Sequence, residues 1–282
     1  MKITFIISSI ITLLACFYFV YILSLRKRKN ISKNILLMSA FLVITSIIFL
    51  IVLGYFMISK KNKFRRTENT FIHSNYKKTT GINGVFGIDV SHNNGNIKWE
   101  KIKQSKHNIH FVFIRSTMGT NAVDKKYYYN ITNALKNNFI CGSYHFYRPN
   151  EDPIEQFKNF KSNSLVEKGH LIPVLDIEET GEQKTETLIK NIEKWLELAQ
   201  AEFGVKPIIY SGKDFYTKII KNRFNGYPLW VANYTIPYNN NKLNYYFHQF
   251  TDKVIVQGSN ENIDGNYFKG TKQELIDSLT IK

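Results

Sequence analysis

The sequence contains only two cysteines, Cys16 and Cys141, and it lacks the cysteine spacing of a disulfide framework or a zinc site. Cys16 lies in an apolar run and Cys141 in the globular part, so we do not expect them to pair. The sequence also has no Gly-rich phosphate loop and no GxSxG elbow, which argues against nucleotide binding and serine-hydrolase chemistry. The 44% apolar fraction is sufficient for a packed core, which must supply the stability.

Acidic residues are nearly absent from the first 80 positions. Glu68 stands there against thirteen Lys or Arg residues, whereas residues 81–282 hold 25 basic and 21 acidic side chains. The net charge of +16 therefore belongs mainly to the N-terminal part. Because the downstream part is nearly balanced and has no basic stripe interleaved with aromatics, nucleic acid is not an expected partner.

Two long runs without charge occupy the N-terminal part, residues 3–25 and 35–59. At about 1.5 Å per helical residue, each run can cover a hydrocarbon core of about 30 Å. The strongly basic segment 26–34 separates them, and short basic loops favour the cytoplasm. Residues 1–59 are therefore predicted to form a two-helix transmembrane hairpin with a cytoplasmic loop. This multi-pass arrangement in the cell membrane would place the downstream domain outside the cytoplasm.

A cleaved signal peptide is the alternative interpretation of the first run. It is less favoured because the run is long, its basic residues follow it, and no small-residue cleavage site closes it. A second basic stretch, 60–66, opposes the predicted orientation, but lipid headgroups or wall polymers of negative charge could accommodate it. Residues 60–80 are polar without periodicity, which predicts a linker before a main domain at 81–282.

After residue 80 the pattern changes to short apolar segments separated by polar stretches, several of them helical in pattern. Continuous apolar strands joined by helices predict parallel strands buried on both faces, and eight strands can close a barrel. The later connections are shorter, so we expect an irregular α/β barrel with fewer helices in its second half. The predicted strands are 85–91, 110–117, 140–147, 171–178, 206–212, 228–234, 245–250 and 261–263, and the predicted helices are 97–106, 124–138, 152–164 and 184–202.

Four acidic residues coincide with the ends of predicted strands, where barrels of this kind carry their reactive side chains. Asp89 ends the first strand, Asp176 and Glu178 end the fourth, and Asp264 follows the eighth. Asp176 and Glu178 are two residues apart and point to one face, about 6–7 Å apart. Crowded charge would keep one carboxyl protonated near neutral pH, as glycoside hydrolysis requires. These four are the predicted catalytic residues.

Aromatic side chains surround the predicted rim, and sugar rings present apolar faces that stack on such residues. Four are predicted to bind substrate, together with an amide that could orient it through hydrogen bonds. Phe146 is expected to belong to the barrel core instead. The predicted substrate-binding residues are Tyr144, Tyr210, Trp230, Tyr234 and Gln249.

Two other interpretations of the acids stay open at this point. A lone Asp-x-Glu at a strand end often faces solvent or pairs with lysine, although four acids at one rim are hard to explain by solvation alone. Clustered acids can also bind a metal, with His92, His145 or His248 as further ligands. Because no HExxH or His-x-His pair is present, no metal and no cofactor are expected.

An ordered set of motifs across residues 85–268 resembles glycoside hydrolase family 25, the Chalaropsis-type lysozymes. The motifs are GIDVSHNNGNIKW, FVFIRSTMG, GSYHFYRP, PVLDIEE, IIYSG, LWVANY, HQFT and NIDGNYF. The resemblance implies an irregular barrel that hydrolyses the β-1,4 bond after N-acetylmuramic acid in peptidoglycan glycan strands, without a metal.

The resemblance also assigns roles. It makes Glu178 the general acid and then base, with Asp176 steadying the positively charged intermediate, which can be substrate-assisted or covalent. It implies that Asp89 and Asp264 tune the local charge and position water or substrate. Met118 replaces an acidic residue that many relatives carry, and Asn233 is a further departure, which puts substrate preference in doubt. A catalytically inactive wall-binding barrel and an N-acetylglucosaminidase or chitinase-like hydrolase are the alternative functions.

Overall fold

The computed structural model describes residues 2–26, 33–80, 84–235 and 244–282. The chain divides into two compact units, Met1–Phe71 and Ile72–Lys282. Most of the predicted basic loop, residues 27–32, lies outside the described residues, as do 81–83 at the predicted start of the main domain.

Two helices form the N-terminal part, α1 (Lys2–Arg26) and α2 (Lys33–Thr80). Among the described residues, only the stretch Leu37–Ser59 is long and apolar enough to cross a membrane, with a mean hydropathy of 2.7. A second apolar stretch, Thr12–Ser24, is shorter. The two-span hairpin therefore stays a prediction.

Helix α2 differs from the predicted linker at residues 60–80, because the helix continues through this segment. No glycine or proline interrupts residues 55–80, so nothing in the backbone forces the helix to end there. The absence of amphipathic periodicity predicted a linker but does not exclude a solvated helix. The boundary between anchor, linker and main domain also stays a prediction.

The second unit contains a closed barrel of eight strands, which confirms the predicted fold. Strand β1 pairs in parallel with β2 and antiparallel with β9, and these two pairings close the sheet. A ninth short strand, β3, pairs antiparallel with the last residues of β2 and forms a hairpin with it. The strands are β1 (Val85–Val90), β2 (Phe111–Met118), β3 (Ala122–Val123), β4 (Ile140–Phe146), β5 (Val174–Asp176), β6 (Ile208–Gly212), β7 (Leu229–Ala232), β8 (Phe247–Val254) and β9 (Ile263–Phe268).

Helices cover the barrel mainly over its first half. Helix α5 shows how one begins: the Asp152 carboxylate accepts hydrogen bonds from the backbone N–H groups of Ile154 and Glu155, and Pro153 takes the first helical position. After β6 the helical segment is short and continues into a π-helical turn over Tyr216–Ile220. The helices are α3 (Trp99–Lys103), α4 (Tyr127–Lys136), α5 (Pro153–Asn163), α6 (Thr185–Phe203), α7 (Lys213–Phe215) and α8 (Lys272–Leu279).

Two strand predictions need correction. The last strand is β9 at Ile263–Phe268 rather than 261–263, and it runs antiparallel to β8. A parallel return needs a crossover of about a dozen residues or more, and only residues 255–262 lie between these strands. Asp264 is therefore inside the last strand, not after it. Strand β5 ends at Asp176, so Glu178 lies in the loop that follows.

Aromatic rings fill the barrel interior, and glycines opposite them make the room. Phe113 of β2 lies in register with Gly142 of β4, and its ring stacks on Trp230 with the centroids 4.6 Å apart. A Cβ added at Gly142 would lie 2.9 Å from the Phe113 ring and 2.8 Å from Leu171 Cβ. The interior therefore depends on the absence of a side chain at Gly142.

We predict that Gly142→Ala destabilises the barrel by about 1–3 kcal/mol, because the added methyl group overpacks the interior. Gly212→Ala is the control, since a Cβ there meets nothing within 4 Å and the backbone is extended. Denaturant unfolding of the full chain can be followed by tryptophan fluorescence, because all three tryptophans, Trp99, Trp195 and Trp230, are buried in the second unit. Equal midpoints for the two variants would contradict the prediction.

Candidate active site

The four predicted catalytic acids lie at one rim of the barrel. Asp89 is near the C-terminal end of β1 and lies directly opposite Asp264 near the start of the antiparallel strand β9. Asp176 ends β5, and Glu178 follows two residues later. The start of an antiparallel strand lies beside the ends of its parallel neighbours, which brings Asp264 to the same rim as the other acids.

The side-chain amide of Gln249, on β8, joins the first pair of acids. Its Nε2 donates to Oδ2 of Asp89 at 2.9 Å and to Oδ2 of Asp264 at 3.2 Å. Its Oε1 accepts from the hydroxyls of Tyr210 at 2.9 Å and Tyr234 at 2.7 Å. All four hydrogen-bonding positions of the amide are thus used within the protein. Gln249 therefore orients the acids and tyrosines, whereas the sequence predicted that it would orient substrate.

Burial controls the electrostatics of Asp89 and Asp264. It raises the pKa of Asp89 to about 6, although hydrogen bonds from Asn266 and Gln249 oppose the shift. Burial, reinforced by the negative charge of Asp89, raises the pKa of Asp264 to about 8. Near neutral pH this pair of carboxyls therefore holds one proton between them.

Asp176 and Glu178 form the second pair, with unequal exposure. Asp176 is buried, and burial together with the charges of Glu178 and Asp89 raises its pKa well above the usual range. Its Oδ1 has no hydrogen-bond partner among the described residues. Glu178 is exposed, yet partial desolvation still raises its pKa. This pair too retains a proton at a pH where isolated carboxyls are ionised.

A cleft of about 600 Å³ opens beside Glu178. Its walls come from the segment after β5, the end of β6 with α7, and the end of β7. The lining includes one of the four predicted catalytic acids, two tyrosines that donate hydrogen bonds to Gln249, and an asparagine whose Nδ2 has no partner in the described part of the chain. These four are Glu178, Tyr210, Tyr234 and Asn233.

The predicted aromatic residues separate into wall and floor. Tyr234 is 49% exposed and lines the cleft, and Tyr210 lines it from a mostly buried position. Trp230 is only 2% exposed, and its Nε1 donates to Oδ1 of Asn266, so it lies in the core under the site. The prediction that Trp230 lies in the groove, where it could stack on a sugar, is therefore wrong, because the ring lies beneath the site.

Tyr144 and Phe146, neighbours on β4, depart from expectation in opposite ways. Tyr144 is buried, and its pKa is raised by burial and by the nearby charges of Asp89 and Asp176. It contributes to the floor between the acids. Phe146, expected in the core, is half-exposed and lies in register with Asp176.

Two polar residues at the site were missed in the sequence. Asn266 donates from Nδ2 to Asp89 at 2.7 Å, and the charge of Arg115 partly opposes the rise in the pKa of Asp176 that burial and the neighbouring acids cause. Both carried a recognisable signal. Asn266 is two residues after Asp264 and so shares its face of the strand, and Arg115 is a charge inside the apolar strand FVFIRST.

The histidines considered as metal ligands make protein hydrogen bonds instead. His145 is buried, with Nδ1 2.8 Å from Thr117 Oγ1 and Nε2 3.1 Å from Gln156 Oε1. Nε2 of His248 lies 2.9 Å from the carbonyl oxygen of Asn233. Within the described ranges, no three His, Cys, Asp or Glu side chains are grouped to hold a metal ion.

Comparisons with known sequences and structures agree with this geometry. The sequence model of glycosyl hydrolases family 25 matches residues 88–259. The chain is 34% identical over 196 residues to the uncharacterized protein YegX of Escherichia coli K12, covering 68% of this chain and 72% of that protein. It is 30% identical over 212 residues to Lysozyme M1 of Streptomyces globisporus, covering 68% and 70% respectively.

Solved structures show the same relationship. A family 25 glycosyl hydrolase from Bacillus anthracis superposes with a TM-score of 0.63 at 28% identity, over 68% of this chain and 92% of that one. The bacterial lysozyme from Streptomyces coelicolor gives 0.62 at 29% identity, over 68% and 95%. The chain therefore belongs to glycosyl hydrolase family 25 and is a glycoside hydrolase of the lysozyme type.

Proposed function

We propose that this lysozyme is a membrane-anchored N-acetylmuramidase of the Chalaropsis type, with Glu178 as its acid and base and Asp176 as the stabilising carboxylate. The observation that carries the assignment is the pairing of a buried Asp176 with an exposed Glu178 beside the cleft. An exposed acid of raised pKa can reach the glycosidic oxygen and still carry a proton. A buried carboxylate can steady positive charge in a low-dielectric site.

In the proposed reaction, Glu178 gives its proton to the oxygen of the sugar that leaves, and the bond between that oxygen and C1 breaks. Asp176 stabilises the positive charge at C1, either by orienting the acetamido group or by attacking directly. Water then attacks C1, the bond between C1 and the acetamido or Asp176 oxygen breaks, and Glu178 takes up the proton that the water loses. The enzyme returns to its starting protonation state.

Asp89 and Asp264 support this reaction from the adjacent strands. As a pair that keeps one proton, they place a single negative charge beside Glu178. That charge favours the protonated form of the acid. Tyr234 and Tyr210 form the cleft wall that a sugar would contact, above the buried Tyr144 and Trp230.

The N-terminal part supports the anchoring half of the proposal. Leu37–Ser59 is the apolar helix, and the neighbouring run of α1 would be the second span. The basic segment 26–34 would then lie in the cytoplasm and the barrel outside, facing peptidoglycan.

Glu178→Gln should lower the release of reducing ends from purified peptidoglycan by on the order of a thousandfold, because the amide cannot supply a proton. The full chain in detergent is assayed beside Glu179→Gln, a control that removes the neighbouring exposed carboxylate. Mass spectrometry should find N-acetylmuramic acid at the new reducing ends. Full activity of Glu178→Gln refutes the acid role, and N-acetylglucosamine ends refute the bond specificity.

Asp264→Asn should stabilise the barrel at alkaline pH. The folded pKa of Asp264 is raised from 3.8 to about 8, so its contribution to stability is complete below about pH 4 and is lost as pH rises through about 8. The amide removes that loss, so we expect a gain on the order of 2 kcal/mol near pH 8.5 and none near pH 4. Urea midpoints at both pH values provide the measurement. A variant less stable at both would contradict the account.

Topology can be tested in intact cells with a membrane-impermeant maleimide. A cysteine introduced at Lys253, which is exposed on the barrel, should be labelled without breaking the cells. A cysteine at Lys29, in the predicted cytoplasmic loop, should be labelled only after lysis. The reverse pattern would overturn the orientation, and labelling at both positions in intact cells would overturn the two-span hairpin.

A further inference from the structure

The cleft beside Glu178 covers only one side of Asp176. Strand β5, which ends at Asp176, lies between β4 and β6, and the cleft runs over the ends of β6 and β7, away from β4 and β2. A glycan strand has sugar residues on both sides of the bond that is cut. The strand must therefore also lie over the barrel mouth on the β4 side of Asp176.

The alternation of side chains along β4 turns Phe146 toward that part of the mouth. Tyr144 points into the barrel interior, and His145 points outward, where its ring stacks on Trp195 of α6 with the centroids 5.7 Å apart. Phe146 follows and so points inward again, one layer nearer the mouth than Tyr144. It lies in register with Asp176, so the two side chains leave neighbouring strands at the same level.

Met118 continues this row of inward side chains onto β2. It lies in register with Phe146, and the residue before it, Thr117, points outward with its Oγ1 2.8 Å from Nδ1 of His145. Met118 therefore shares the inward face with Phe146. Neighbouring strands lie about 4.8 Å apart, so the row from Asp176 through Phe146 to Met118 extends about 10 Å across the mouth. We call Phe146 and Met118 together the shelf.

Arg148 closes the outer end of the shelf. Its Nη2 donates to Sδ of Met118 at 3.5 Å, and its Nη1 donates to Oε1 of Glu151 at 3.1 Å. The other carboxylate oxygen of Glu151 accepts the backbone N–H of Thr120 at 2.6 Å. The guanidinium is thus fixed in position, yet the side chain is 43% exposed and has further N–H donors. These donors can bond to oxygen atoms of a molecule that lies on the shelf.

The shelf presents apolar surface that the protein core does not use. Both of its residues are half-exposed, and neither belongs to a hydrophobic cluster in the described part of the chain. A sugar ring has an apolar C–H face, which can pack on an aromatic ring and a thioether, and oxygen atoms at its edge, which accept hydrogen bonds. The shelf and the guanidinium together match both parts of a sugar.

Met118 makes this surface apolar at a position where many relatives carry an acid. A carboxylate there would lie beside Arg148, form an ion pair with the guanidinium edge that now faces the thioether, and keep water bound to the shelf. Methionine leaves that edge of the guanidinium available. It also lets the shelf release its water when a sugar packs on it, which favours binding.

We propose that Met118 is a specificity-determining residue, which together with Phe146 and Arg148 forms an apolar sugar subsite on the β4 side of Asp176. The occupant is a hexosamine residue of the glycan strand, with its C–H face on the shelf and its oxygen atoms toward Arg148. This inference rests on the proposed function, because Asp176 marks the position of the reacting carbon. It adds a second binding surface to the cleft beside Glu178.

The test measures binding without turnover, in the full chain in detergent that carries Glu178→Gln. Isothermal titration calorimetry with a tetrasaccharide of alternating N-acetylglucosamine and N-acetylmuramic acid gives the Kd. Adding Phe146→Ala should weaken binding about tenfold, because the stacking surface is lost. Adding Met118→Leu should keep the Kd within about twofold, since the side chain stays apolar and of similar volume. Adding Met118→Glu should weaken binding by about fivefold or more, because the carboxylate is hydrated and pairs with Arg148.

Tyr128→Ala is the control, because Tyr128 is an aromatic residue that is 52% exposed on helix α4, and its removal should leave the Kd unchanged. Tryptophan fluorescence melting shows that each variant is folded. Unchanged affinity in Phe146→Ala, or equal affinity of Met118→Leu and Met118→Glu, overturns the inference. If Phe146→Ala does not fold, the two Met118 variants still decide. Failure of the proposed function would appear differently, as cleavage of the tetrasaccharide by Glu178→Gln itself.

Discussion

This enzyme depends on one constraint: several carboxyl groups are buried away from water and lie close together at one mouth of the barrel. Burial penalises the charged form of Asp176, Asp89 and Asp264, and each negative charge that remains penalises the next. The result is a site that holds protons at a pH where exposed acids have lost them. In the proposed mechanism the leaving oxygen takes up such a proton, which would give the cost of burying these groups a chemical use.

The closed barrel creates that constraint through its topology. Strand β9 returns antiparallel and inserts between β1 and β8, which puts Asp264 opposite Asp89. The amide of Gln249 bridges them from β8 and uses its remaining acceptor capacity on Tyr210 and Tyr234. Since every polar atom of this amide is committed, a substitution there would disturb the acids and the cleft wall together. Aromatic packing below, allowed by the missing side chain at Gly142, supports the floor.

Much of this arrangement could be predicted from the sequence, because apolar strand patterns and strand-end acids are local signals. These signals predict the number of strands, their closure into a barrel and the meeting of four acids at one rim. The antiparallel course of β9 was missed because a short apolar segment shows its position only within a few residues and not its direction. Trp230 was placed in the groove because sequence does not distinguish a ring that faces sugar from one beneath the site. Gln249 was predicted at the site, but its hydrogen bond to Asp89, 160 residues away in the chain, was not, because no local pattern contains it. Arg115 carried a signal as a charge inside an apolar strand, but its ion pair with Asp124 beyond the β2–β3 hairpin did not. The helix over 60–80 lacks amphipathic spacing and so resembled a linker.

The most direct test of the central claim is a pH titration of the carboxyl carbons by ¹³C NMR, with the full chain labelled at aspartate and glutamate. We expect the carboxyl signal that is lost in Asp264→Asn to titrate near pH 8, and the signal that is lost in Asp176→Asn to titrate well above the usual range of an aspartate. Titration of every carboxyl carbon with a midpoint near 4 would show that the acids at the rim hold no extra proton, and would contradict the account.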